Sequence, residues 1–314
     1  MTVRIITADV VDGLAQLPDG SVHCCVTSPP YFGLRDYGMP GQIGLEATPA
    51  AFVARLVEVF RHVRRVLRDD ATCWLNMGDS YASAWAMPGG RRNVAGQGSL
   101  ENGKRDARPN RLVEGLKEKD LMLIPERLAI ALQEDGWYIR ARIIWHKPNP
   151  MPESVTDRPT KSHEHIWLMS KQPRYYYDAE AIKEPSLHAG EVKDYTGDQK
   201  NNRVDPDMQR TRLAGRMITV PDTRNCRDVW TIATSPFSEA HFATFPPELA
   251  ERCIKAGCPK DGTVLDPFGG AGTTGLVADR LQRNAILIEL NPDYAAMAEK
   301  RLTGDATLFA EVSR

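Results

Sequence analysis

Two short stretches of this 314-residue chain hold the residue types of a reaction centre. Ser28-Pro29-Pro30-Tyr31 follows the apolar run Val22-His23-Cys24-Cys25-Val26, so it lies where a strand ends. Proline has no backbone N–H and a fixed φ, so the pair stops a ladder and stiffens the chain. The outcome is either a rigid turn or a site that presents a hydroxyl, immobile carbonyls and an exposed aromatic ring. The second stretch runs Val264-Leu265-Asp266-Pro267-Phe268-Gly269-Gly270-Ala271-Gly272-Thr273-Thr274-Gly275 and reads as strand, glycine-rich loop and helix start. Glycines there let the backbone approach a ligand, and the helix N-terminus offers unpaired N–H groups to an anionic group. Glu289 ends the following strand, where a solvent-facing carboxylate can accept hydrogen bonds from two ribose hydroxyls.

Gly270-x-Gly272-x-x-Gly275 matches the dinucleotide fingerprint, so a nicotinamide-dependent oxidoreductase competes. Only 39 residues follow Gly275, too few for the rest of a dinucleotide-binding half and a substrate domain. Asp266 also stands where such a loop brings pyrophosphate. An acid there suits an amino group, such as the methionyl end of S-adenosylmethionine, and the methyl donor is the preferred ligand.

The elements that must position these residues alternate. Residues 3–6 and 22–27 read as buried strands, with a helical turn at 12–17 between them. Residues 50–67 form an amphipathic helix with Phe52, Leu56, Val59, Phe60 and Val63 on one face, and 71–76 the next strand. A helix from about Pro125 to Gly136 and strands at 137–145 and 165–169 follow. Helices at 246–256, 273–281 and 293–302 then alternate with strands at 263–266 and 285–288. This rhythm predicts an α/β fold: a mostly parallel sheet with helices on both faces. Two polar stretches, about 83–120 and 178–235, lack periodicity and read as a basic loop and an insert.

The net charge is −1, but Arg91–Arg111 carries six Lys/Arg against two Asp/Glu, and Lys200–Arg227 seven against three. A neutral body with two basic segments suits a protein that grips a polyanion locally. The six cysteines include no Cys-x-x-Cys pair and are read as reduced thiols, with no metal site. His163 and His165 share one strand face while Glu164 points away, which also argues against a metal. His146 is read as a strand-end residue and Tyr175 to Tyr177 as a sheet edge. No signal peptide and no apolar stretch of ~18 residues is present, so a cytoplasmic protein with no membrane partner is expected.

Together, the tetrad Ser28-Pro29-Pro30-Tyr31 and the later glycine loop from Asp266 resemble the S-adenosylmethionine-dependent DNA amino-methyltransferases. The order, tetrad first, is that of the permuted β group. His241-Phe242-Ala243-Thr244-Phe245-Pro246, Ile286-Leu287-Ile288-Glu289 and Asp9 match further family segments, and the likeness spans residues 1–82, 121–177 and 236–303. The resemblance implies a Rossmann-like, circularly permuted fold with an inserted target-recognition region. Its catalytic half would be residues 1–177, its recognition insert 178–235 and its donor-binding half 236–314.

The resemblance further implies site roles. Ser28 and the Pro29 carbonyl, held by Pro30, would accept the two N–H bonds of an exocyclic amino group, and Tyr31 would stack on the flipped base. The tyrosine ring, more than its hydroxyl, is expected to matter. Asp9, Thr244, Phe245, Asp266, Pro267, Phe268, Gly269, Gly270, Gly272, Thr273, Thr274 and Glu289 would hold the donor. Arg91, Arg92, Arg210, Arg212 and Arg216 would contact double-stranded DNA. The serine form of the tetrad leans to the 4-amino group of cytosine, with the 6-amino group of adenine close behind. A homodimer is expected, and a restriction endonuclease partner stays unknown. An RNA or protein amino-methyltransferase remains an alternative; an inactive DNA-binding regulator would show damage at Ser28, Pro29, Pro30 or Gly270, and none is seen.

Overall fold

The computed structural model describes residues 1–34, 36–82, 116–194, 217–234, 245–305 and 311–313. They fall into two compact units, Met1–Tyr177 with Asp228–Arg314, and Asp178–Arg227.

The larger unit opens with β1 (Thr2–Thr7), α1 (Val10–Ala15), β2 (Val22–Thr27), α2 (Pro49–Val66) and β3 (Leu67–Met77). It continues with α3 (Ile124–Glu134), β4 (Tyr138–His146) and β5 (His163–Ser170). The smaller unit holds β6 (Glu184–Pro185), β7 (Val192–Asp194), β8 (Met217–Thr219) and β9 (Thr223–Arg224), paired antiparallel as β6–β9 and β7–β8. Glu184 joins its two ends by accepting from Arg224 Nε at 2.8 Å and Arg227 Nε at 2.5 Å. The chain then returns to the larger unit with β10 (Val229–Thr231), α4 (Pro247–Gly257), β11 (Thr263–Asp266) and α5 (Thr273–Arg280). β12 (Asn284–Glu289), α6 (Pro292–Asp305) and β13 (Glu311–Ser313) complete it. The stretch expected as one insert, 178–235, therefore divides, because residues 229–231 pair with β4.

The main sheet has the order β10-β4-β5-β3-β2-β11-β12-β1-β13. Every pair is parallel except those of β5, which runs against both β3 and β4. The connection 147–162 contains no helix, and a parallel return requires a crossover, so β5 comes back antiparallel.

α2 shows why the local sequence folds as it does. Thr48 caps it by accepting from Ala51 N–H at 3.1 Å, Pro49 occupies the first turn, and Phe52, Leu56, Val59, Phe60 and Val63 are buried. Those side chains join Cys25, Cys73, Leu75 and Met169 from alternate positions of the sheet in one core, with α1 and α3. The intervening positions face the other way: Thr72 Oγ1 donates to the Gly257 carbonyl of α4 at 3.3 Å. Helices thus cover both faces, as the β–α alternation predicts. Among the described residues, no helix is long and apolar enough to cross a membrane.

Candidate active site

β2, β11, β12 and β1 are neighbours and run parallel, so their carboxyl ends open on one side of the sheet. β2 connects through α2 to β3 on one flank, whereas β11 connects through α5 to β12 on the other. Divergent connections leave a crevice between adjacent strands, the general position for ligands in open α/β sheets. Here the crevice is a cleft of about 190 Å³.

Each strand end delivers expected residues to that cleft. β2 delivers Ser28, Pro29, Pro30 and Tyr31; β11 delivers Asp266, Pro267, Phe268, Gly269 and Gly270. β12 brings Glu289, β1 brings Asp9, and Phe245 and Thr273 complete the expected set on its walls. Gly272 and Thr274 stand behind the wall instead. Gly272 takes φ 76° as the N-cap of α5, and Thr274 is fully buried. Thr244, Arg91, Arg92, Arg210, Arg212 and Arg216 lie outside the described residues.

Asp266 is the hub of the two loops. Its Oδ1 accepts from Thr27 Oγ1 at 2.7 Å and Phe268 N–H at 3.1 Å, and its Oδ2 from Thr274 Oγ1 at 2.6 Å. Burial pushes its carboxyl pKa up, and these three donors act against that rise. Asp266, expected to meet a ligand amino group, lines the cleft while it accepts from these three protein donors.

Glu289 is also more engaged than expected. Its Oε2 accepts from Gly270 N–H and its Oε1 from Asn291 N–H, both at 2.8 Å. The residue is half-buried and burial raises its pKa, so its carboxylate is less open to solvent than its strand-end position predicts. Gly270 can point its N–H at Glu289 because it adopts φ 50°, which favours glycine. From α6, Arg301 braces the loop by donating to the Ala271 carbonyl and Thr273 Oγ1, each at 3.0 Å. Asp9 caps α1 by accepting from Val11 N–H at 2.9 Å.

Tyr31 is not the exposed ring of the sequence reading. It is half-buried, its hydroxyl donates to Glu164 Oε2 at 2.8 Å, and Asn76 Nδ2 donates to it at 3.1 Å. Burial and the Glu164 charge raise the phenol pKa, so it stays protonated. The next residue, Phe32, is buried against Phe52 with ring centroids 5.5 Å apart, which anchors the tetrad to α2.

Three further groups, which residue types and spacing do not assign to the site, lie against the tetrad. Asn76, Glu164 and Lys147 meet beneath the tetrad, where Lys147 Nζ pairs with Glu164 Oε1. No local feature of His163-Glu164-His165 marks Glu164, because its partners are brought by the pairing of β5 with β3. Residues 37–43 also reach the cleft. Gln42 Oε1 accepts from Tyr37 N–H at 2.8 Å, and the Tyr37 ring meets Tyr294 of α6 edge-on with centroids 6.4 Å apart.

The walls combine apolar surface from Phe245, Pro267, Phe268 and Ile288 with the carboxylates of Asp9 and Glu289. Such a cleft suits a ligand with a flat ring and hydrogen-bonding groups at defined points. Comparison with known proteins agrees. Residues 22–300 match the model of the N6/N4 family described as DNA methylase. The chain is 46% identical over 300 residues to the Type II methyltransferase M.XycI of Xanthomonas campestris pv. cyanopsidis, covering 96% of this chain and 87% of that protein. It is 45% identical over 303 residues to the Type II methyltransferase M.Cfr9I of Citrobacter freundii, covering 96% and 88%. In fold it is similar to the cytosine-N4-specific PvuII DNA methyltransferase, with TM-score 0.63, 18% identity and 99% and 96% of the two chains covered. The S-adenosyl-L-methionine complex of TTHA0409 from Thermus thermophilus gives TM-score 0.59 at 24% identity, covering 99% of each chain.

Proposed function

Because this chain belongs to the DNA methylase family of N6- and N4-directed enzymes, we propose that Ser28-Pro29-Pro30-Tyr31 is its catalytic segment and cytosine N4 its target. The protein is an S-adenosylmethionine-dependent DNA methyltransferase of the Type II kind. Bound S-adenosylmethionine supplies an electrophilic methyl group. The apolar cleft wall with Asp9 and Glu289 offers a ring site and acceptors for hydroxyls, which supports this cleft as the donor site.

The observation that carries the reading is the Thr27–Asp266 hydrogen bond, which ties the tetrad strand to the glycine-loop strand at one cleft. An exocyclic amino nitrogen is a poor nucleophile because its lone pair is delocalised into the base. Ser28 Oγ and the Pro29 carbonyl, aimed at its two N–H bonds, return density to it and stabilise the charge that grows on it. Tyr31 supplies the stacking face, which offsets part of the few kcal/mol needed to flip the base. The serine favours the cytosine reading through the family likeness. A neutral residue there also suits a site whose Asn76 amide bridges to the Glu164 carboxylate.

The unit Asp178–Arg227 is proposed as the target-recognition region, with Arg210, Arg212 and Arg216 and the Arg91–Arg92 segment as phosphate contacts on double-stranded DNA. A cytoplasmic homodimer is the proposed form. Incubation with labelled donor and mixed DNA, followed by nucleoside mass spectrometry, tests the reading. Label in 4-methylcytosine is expected; label in 6-methyladenine moves the target to adenine, and DNA left unlabelled overturns the substrate.

A further inference from the structure

Beneath the tetrad, hydrogen bonds run from the cleft into the sheet. Asn76 is 3% exposed, and its Nδ2 lies 3.0 Å from Glu164 Oε2, 3.1 Å from Tyr31 OH and 3.4 Å from Ser28 Oγ. Tyr31 donates to the same Glu164 oxygen at 2.8 Å. The other Glu164 oxygen takes the Lys147 ammonium, which sits 4.3 Å from the centre of the Trp145 ring. Resting on the reading of Ser28 as catalytic, we propose that Glu164, charge-balanced by Lys147, is a positioning residue that sets the hydrogen-bond polarity of Ser28 and Tyr31.

The Asn76 amide is the pivot. Its Oδ1 is buried without a hydrogen-bond partner among the described residues, while its NH₂ faces three acceptors. Turned over, the amide would point Oδ1 at a carboxylate oxygen 3.0 Å away. An ionised carboxylate only accepts, so Glu164 compels the NH₂ to face inward. With two hydrogens for three acceptors, the same NH₂ shares one of them with Ser28 Oγ at 3.4 Å and leaves lone-pair capacity on that hydroxyl for the substrate amino group. Glu164 also fixes Tyr31 as a donor, which locks the ring beside Gly78; a Cβ there would lie 2.6 Å from Tyr31 Cε2.

The wiring requires an ionised Glu164. Burial raises its pKa, but the Lys147 charge and the donors Lys147, Tyr31 and Asn76 outweigh burial and leave it below its ordinary value. The titratable and charged groups facing it are Lys147 from the end of β4 and Tyr31 from the loop after β2, with neutral Asn76 from β3. Its strand neighbours His163 and His165 alternate to the opposite face, with ring centroids 5.3 Å apart.

The test compares kcat, KM for the donor and their pH dependence in the full-length enzyme. Glu164→Gln should lower kcat about 10- to 100-fold, the range expected for losing hydrogen bonds to a charged group, with donor KM unchanged. Lys147→Met removes the main influence holding the Glu164 pKa down, so kcat should fall as pH drops through a range where the parent enzyme is flat with respect to this group. Lys147→Arg keeps the cation and should restore the flat profile. If Glu164→Gln does not fold, the two lysine variants alone carry the test. Parent kcat in Glu164→Gln, or a parent pH profile in Lys147→Met, overturns the proposal. Ser28→Ala assayed alongside separates the two levels: undiminished turnover there removes the catalytic reading itself, whereas a loss confined to Ser28→Ala removes only the role of Glu164.

Discussion

Thr27 Oγ1 donates to Asp266 Oδ1 at 2.7 Å across 239 residues of chain. Both residues are buried, and each is the last of its strand, immediately before one of the two loops that line the cleft. Thr274 adds a second clasp, since its hydroxyl lies within reach of both Asp266 Oδ2 and the Val26 carbonyl, at 2.6 and 3.3 Å. The relative position of tetrad and glycine loop is therefore fixed by Asp266 at the cleft wall and by two threonine hydroxyls behind it.

Thr27→Val keeps the shape and deletes the donor. Leaving a buried carboxylate short of one hydrogen bond costs about 1–3 kcal/mol. Thermal melts should fall by about 2–4 °C per kcal/mol for a chain of this size. Calorimetry should show weaker S-adenosylmethionine binding as the two loops lose their common reference, and a parent melting temperature would show the clasp to be unimportant.

Ser28→Ala should lower kcat about 100-fold, the lower end for deletion of a preorganised polar contact, because the Pro29 carbonyl remains. Tyr31→Ala loses a stacking contribution of about 1–3 kcal/mol. The structure raises the expectation for Tyr31→Phe, whose missing hydroxyl leaves Glu164 and Asn76 without a shared partner; a loss near tenfold is expected. Single-turnover methylation, normalised to folded enzyme, measures all three.

On the proposed donor-site reading, Glu289 should link donor binding to pH. Its folded-state pKa is raised, so the folded protein holds a proton that the unfolded chain has already released. Its contribution to stability therefore declines as pH rises from its ordinary range through the raised value. Only the ionised form accepts from two donors, so donor affinity should weaken as pH falls through that raised value. Glu289→Gln should flatten this dependence in calorimetry from pH 8 to 5. Glu289→Ala should also lower the melting temperature, because the Gly270 and Asn291 N–H groups lose their acceptor.

Replacing Arg91 and Arg92 with neutral residues should flatten the log–log salt dependence of DNA binding. Each lost phosphate contact removes a slope of about 0.9, so the pair together removes about 1.8. An unchanged slope would return this segment to a solvated loop.

The parts of the enzyme that repeat along the chain were readable from it. Strand and helix periods place β2, α2, β11 and α5, and the residues after β2 and β11 carry the tetrad and the glycine loop. What escaped depends on sheet neighbours. Glu164 meets Tyr31 only because β5 pairs with β3 and brings position 164 beside Asn76, 88 residues distant in sequence. Nothing local at His163-Glu164-His165 signals that partnership. Asp266 and Glu289 stand at the strand ends where the sequence places them, yet their engagement with threonine hydroxyls and backbone N–H groups depends on conformation, which residue types alone leave open.

The sheet order has a consequence for biosynthesis. β2 pairs with β3 on one side and β11 on the other, so a growing chain holds the tetrad strand long before its second neighbour exists. At ribosomal rates of about 5–20 residues per second, the 239 residues from Thr27 to Asp266 correspond to roughly 10–50 s. Throughout that interval β2 carries an open edge of unpaired N–H and C=O groups, flanked by a buried-type surface of Cys24 and Cys25. The nascent chain therefore presents this edge until the carboxyl-terminal strands emerge, and the cleft closes only as the last βα units dock.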